Sequence, residues 1–100
     1  MRTTIPTRNP GKGKKAPRIA AVRYEAMKAA LLEVVPGGGD GVAFAALPEL
    51  VAGHLPRDAF HGASIPWYVA TVKLDLEARG LLRRVPGSRP QRVVRGRKGP

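Results

Sequence analysis

The positive charge of this 100-residue chain is carried by its two ends, and that limits where a folded core can lie. Residues 1–23 hold seven cations and no acid, and residues 79–100 hold eight cations and no acid. Between them, residues 24–78 carry only Lys28, Arg57 and Lys73 against seven acids. Residues 1–18 contain Pro6, Pro10, Pro17, Gly11 and Gly13, with Ile5 as the main large apolar side chain. Such a stretch buries too little apolar surface to offset its ordering entropy, so a disordered basic arm is expected there. Residues 19–95 are then expected to form one small domain, and residues 96–100 a frayed basic tail. A domain of that length is near the smallest that one hydrophobic core holds together.

A net charge of +11, segregated in this way, suits a polyanionic partner. Nucleic acid is the first candidate. An anionic membrane surface ranks below it, because the tails hold almost no apolar anchor. The absence of cysteine excludes disulfides, thiolate zinc sites and cysteine nucleophiles. There is no apolar run of about 18 residues to span a membrane, and the basic N-terminus lacks the apolar segment of a secretory signal. The expected location is the cytoplasm, at the nucleoid if DNA is bound. His54 and His61 have no ligand constellation around them, and Ser64 has no base beside it. The Pro36–Gly41 turn lacks the Gly-Lys-Ser/Thr ending of a phosphate loop. The expectation is a non-catalytic protein with no cofactor and no metal.

Apolar spacing predicts a first helix from Ile19, with Val22, Met27, Ala30, Leu31, Val34 and Val35 recurring at helical intervals, stopped by Pro36. Val42-Ala43-Phe44 reads as a short strand. Ala45 to Leu55 reads as a second helix with Leu47, Leu50, Val51 and Leu55 inward, and Pro48 in its first turn. Ser64 caps a third helix that runs to Arg79 and stops at Gly80. Leu81–Val85, a Pro86–Pro90 turn and Gln91–Arg95 predict a β-hairpin. The fold class is therefore mainly α with a small β-hairpin.

At Val72-Lys-Leu-Asp-Leu-Glu-Ala-Arg-Gly-Leu-Leu-Arg-Arg84 the chain resembles winged helix-turn-helix families, whose recognition helix ends in this way and leads into the first wing strand. Residues 22–84 also resemble a small bacterial family of uncharacterised winged-helix proteins, through Trp67 and Leu74-Asp-Leu-Glu77. The resemblance implies a three-helix winged helix-turn-helix domain with both basic ends outside it. Winged helices serve both nucleic-acid and protein contacts, so it implies function less firmly.

Helical phase puts Ile65, Val69, Val72 and Leu76 on the packed face of the third helix, and Trp67, Thr71, Leu74 and Ala78 on the other. This helix is a poor base reader, because its Lys73 and Arg79 face Asp75 and Glu77. The hairpin is the stronger candidate. Its Arg83, Arg84, Arg89, Arg92 and Arg95 suit phosphate oxygens, with Arg84 and Arg92 or Arg95 expected on a solvent face. Lys12, Lys14, Lys15 and Arg18 of the arm, and Tyr68, Thr71 and Lys73 of the helix, complete the expected contacts to double-stranded DNA. RNA ranks below DNA for want of an aromatic stacking platform. Trp67 and Leu74 are the candidate protein interface, through which a homodimer would form. Cover by Phe60 is the alternative for that stripe.

Overall fold

The computed structural model describes residues 4–8 and 17–96. Thr4–Pro6, inside the stretch expected to be disordered, and Arg18–Ala20, at its boundary, are strands. Thr4–Pro6 (β1) pairs antiparallel with Arg18–Ala20 (β2), with Ile5 opposite Ile19. Thr7 closes the ribbon, its amide donating to the Pro17 carbonyl at 3.1 Å and its hydroxyl to the same oxygen. Ile19 is buried and Ile5 packs against the core beside it. The ordering cost of β1 is thus met by tertiary burial of one isoleucine and by bonds to a distant part of the chain. Residues 9–16 lie outside the described residues.

The first helix, Ala21–Val34 (α1), starts two residues later than the spacing suggests, because Ile19 belongs to β2. Met27 and Leu31 are fully buried on it, and Tyr24 is buried too. Val22, expected inside, is 67 % exposed. A turn leads to Val42–Ala43 (β3), and Phe44–Ala46 forms one 3-10 turn instead of continuing the strand. The second helix is the short Leu47–Ala52 (α2), with Pro48 in its first turn and Leu47 and Val51 fully buried. A second 3-10 turn, Asp58–Phe60, buries Phe60.

The third helix, Ile65–Ala78 (α3), is the one the sequence describes most closely. Ser64 Oγ accepts from the Trp67 amide at 3.3 Å and Pro66 stands in the first turn. Gly80, at φ +82°, supplies the left-handed residue that ends the helix. Val69, Val72 and Leu76 are fully buried and Ile65 is partly buried against the same core, as the phase predicts. Truncating Leu76 to alanine would cost about 2–5 kcal/mol.

Leu82–Arg84 (β4) and Arg92–Arg95 (β5) form the hairpin, and β5 also pairs with β3, giving the antiparallel order β3-β5-β4. Opposite residues share a face of the sheet. Val93 lies opposite both Val42 and Arg84, and Leu82 opposite Arg95; Val93 and Leu82 are buried, whereas Arg84 and Arg95 are exposed. Val94, opposite Arg83, is buried as well, and Arg92, opposite Ala43, is half-buried. Arg84 and Arg95 reach solvent as expected, Arg83 is exposed beside Arg84, and Arg92 is half-buried. Among the described residues the architecture is α+β, with three helices and two small antiparallel sheets. Among the described residues, no helix is long and apolar enough to cross a membrane.

Candidate nucleic-acid interface

The hairpin owes its shape to Ser88. Its hydroxyl donates to the Val85 carbonyl at 2.7 Å and accepts from the Arg92 amide at 2.9 Å, fixing both sides of the turn. The Val85 amide closes the ladder onto the Arg92 carbonyl at 2.8 Å. On this frame Arg83, Arg84, Arg89 and Arg95 are exposed. No Asp or Glu occurs anywhere between Leu82 and Arg95. The guanidinium of Arg95 lies against Gly37, where its own amide donates to the Pro36 carbonyl at 2.9 Å.

Arg92 differs from the other hairpin arginines. It is half-buried, and its guanidinium donates to the carbonyls of Asp40 and Gly41 at 2.7 and 2.9 Å. It therefore ties the glycine-rich turn to β5. Gly41, at φ +75°, passes so close to the Val93 carbonyl that a Cβ there would sit 2.5 Å away, which explains glycine at this point of the turn.

Lys73, expected to face DNA, is buried. Its ammonium pairs with Glu77 at 3.0 Å, donates to Gln91 Oε1, and stands 5.1 Å from the centroid of the Phe44 ring. Leu74 is half-buried in an open groove of about 400 Å³ between α3 and the hairpin, bordered by Glu77, Leu82, Arg83 and Arg84. Arg83 and Arg84 both bring their charge to that groove.

Tyr68 is half-buried at the start of α3, with Phe60 and Trp67 packed edge-on against it at 5.5 and 4.9 Å. Its hydroxyl accepts from Arg23 at 2.9 Å, and Arg23 also donates to the Ala59 carbonyl at 2.7 Å. Phe60 therefore covers Tyr68, and Trp67 stays 46 % exposed. Thr71 is half-buried. Arg18 is exposed on β2 and donates to Thr4 Oγ1 at 3.2 Å. Lys12, Lys14 and Lys15 lie outside the described residues.

One constellation escaped the sequence reading. Asp75 is fully buried and accepts from the Tyr24 hydroxyl, from Arg79 Nε at 2.9 Å and from the Arg8 amide at 2.8 Å. Burial, followed by the bond and charge of Asp75, raises the Tyr24 phenol well above its ordinary range. The hydrogen bond from Arg79 to Asp75 raises the guanidinium further. The signal was available: Asp75 sits one place before Leu76 and three after Val72, on the inward side of α3.

The helix α3 is thus electrically closed, with Lys73 on Glu77 and Arg79 on Asp75, and the hairpin is open. A model of a protein family of unknown function, DUF6958, matches residues 4–93. The chain belongs to DUF6958. The match begins at β1, so the N-terminal ribbon is part of the family's domain, beyond the residues 22–84 that the sequence resemblance covers. No curated protein and no solved structure matches the chain. Among the described residues, no group of three or more His, Cys, Asp or Glu is arranged to hold a metal ion.

Proposed function

We propose that this DUF6958 protein is a non-catalytic, double-stranded-DNA-binding protein of winged helix-turn-helix type, acting as a transcriptional regulator or a DNA-associated accessory protein. In this reading β4–β5 is the wing, α2 and α3 are the helix-turn-helix, and the groove at Leu74 lies over the duplex. One observation carries it: Arg83, Arg84, Arg89 and Arg95 are exposed on a single hairpin that holds no acid. Exposed edge strands carry charge to avoid pairing with other chains, but that need is met by a few charges of either sign. Four uncompensated guanidinium groups favour phosphate oxygens. With α3 carrying no unpaired charge, binding is expected to be mainly backbone-directed and weakly sequence-selective.

The test is fluorescence anisotropy of a random-sequence duplex at two salt concentrations. Affinity should fall steeply with salt, with a log–log slope of about −0.9 per phosphate neutralised. A slope near zero for the full-length protein would sink the proposal.

A second reading rests on Trp67, whose indole is 46 % exposed at the start of α3. Exposed aromatic side chains are enriched in protein interfaces, so a dimer or a larger complex would be contacted there. Sedimentation of wild type and Trp67→Ala decides it: loss of association in the variant supports an interface, and a wild-type monomer at every concentration removes self-association.

A further inference from the structure

A second cleft, of about 440 Å³, opens between β1 and the α1–α3 pair, and shares no lining residue with the hairpin groove. Its polar wall is made by Arg8, Tyr24, Glu25, Lys28 and Arg79. Lys28 stands one helical turn beyond Tyr24 on α1, so both side chains reach the same side. The guanidinium of Arg79 is held at Nε by Asp75, 2.9 Å away, while its side chain keeps 31 % exposure. Asp75 itself is fully buried behind it and already accepts three donors.

A guanidinium fixed at Nε surrenders little further freedom when its outer nitrogens take an acceptor, and its geometry suits oxyanions. Three cations, Arg8, Lys28 and Arg79, meet Glu25 at the surface and Asp75 behind, so the wall is net positive. The volume exceeds what an inorganic ion fills and falls among small-molecule sites. We propose that this cleft binds a phosphate group, with Arg79 as the positioned fork and Lys28 and Arg8 as flanking charges. The group belongs either to a phosphorylated small molecule or to a nucleic-acid strand. Because the Arg8 amide is bonded to Asp75 at 2.8 Å, a ligand here bridges β1 to α1 and α3 and stabilises the ribbon.

The experiment is an amide-resolved NMR titration of the full-length protein with inorganic phosphate, exchanged for chloride at constant ionic strength. Saturable shifts are expected at Thr7, Arg8, Lys28 and Arg79. Lys28→Ala should weaken phosphate about fivefold and Glu25→Gln should tighten it about twofold, the effects of removing one partly screened charge of either sign. Glu25 is exposed and Lys28 half-buried, so both variants are expected to fold. Non-saturating shifts spread equally over hairpin and cleft, or equal affinity in the two variants, would overturn the site. A parallel titration with duplex DNA identifies the source. Cleft amides that move with duplex and return with excess phosphate assign a strand phosphate, whereas amides that ignore the duplex assign a free phosphorylated molecule. Neither result depends on the hairpin arginines binding DNA.

Discussion

Helix α3 with its capping Arg79 carries two cations and the adjacent β4–β5 hairpin five, and the two elements dispose of them in opposite ways. On α3 each cation has a carboxylate four residues away, and both pairs close, Lys73 on Glu77 at 3.0 Å and Arg79 on Asp75 at 2.9 Å. On the hairpin the arginines have no acid within the element, and Arg83, Arg84, Arg89 and Arg95 reach solvent. The difference teaches that a cation's residue type says little about its partner. Its neighbours at the local repeat, and the face the backbone gives it, decide whether its charge is available outside the molecule.

The most severe way to break this comparison is to remove the carboxylate that closes α3. Asp75→Ala leaves the Tyr24 hydroxyl, the Arg8 amide and the Arg79 guanidinium without their shared acceptor, and should destabilise the fold by about 3–5 kcal/mol in urea unfolding. A loss below about 1 kcal/mol would mean that the buried cluster is dispensable. On the open side, the combined change Arg83→Ala, Arg84→Ala and Arg89→Ala should weaken duplex binding about tenfold or more at moderate salt and flatten the salt slope by two to three units. Unchanged affinity would move the interface away from the hairpin.

A pH titration sharpens the buried side. The Tyr24 phenol in the fold releases its proton later than in the unfolded chain, where its value is near 10. Its contribution is therefore complete below about pH 10 and is lost as pH rises further, by up to about 1.4 kcal/mol per unit. Tyr24→Phe, which lacks the bond to Asp75, should be less stable than wild type by a constant amount below about pH 10. The gap in denaturant midpoints should narrow as pH rises further; a gap that stays constant would show that the phenol titrates alike in both states. The smallest effect is expected for Lys73→Met. Since that ammonium is buried on Glu77 and Gln91, its loss should leave duplex affinity within about twofold. A large loss would place α3 back among the phosphate contacts.

Much of the domain could be read from residue order. Ser64, Pro66 and Gly80 mark both ends of α3 by local backbone chemistry, and the phase of Val69, Val72 and Leu76 gives its buried face, because a helix repeats every 3.6 residues whatever surrounds it. The hairpin was legible for the same reason, since Pro86 to Pro90 act locally. The sheet register was not. It depends on how β5 meets β3, some fifty residues away. Nor was the ribbon legible, because β1 and β2 are too short to show a period.

The sequence by itself therefore determined the helices, the hairpin and the segregation of charge, all properties of neighbouring residues and of composition. Tertiary structure alone decided which charges remain available. It turned Lys73 inward, fastened Arg92 to the Asp40–Gly41 turn and gathered Tyr24, Asp75, Arg79 and the Arg8 amide into one buried cluster. The physical reason is that a charge leaving water requires a partner, and the partner is supplied by whichever segment the fold brings within hydrogen-bond reach.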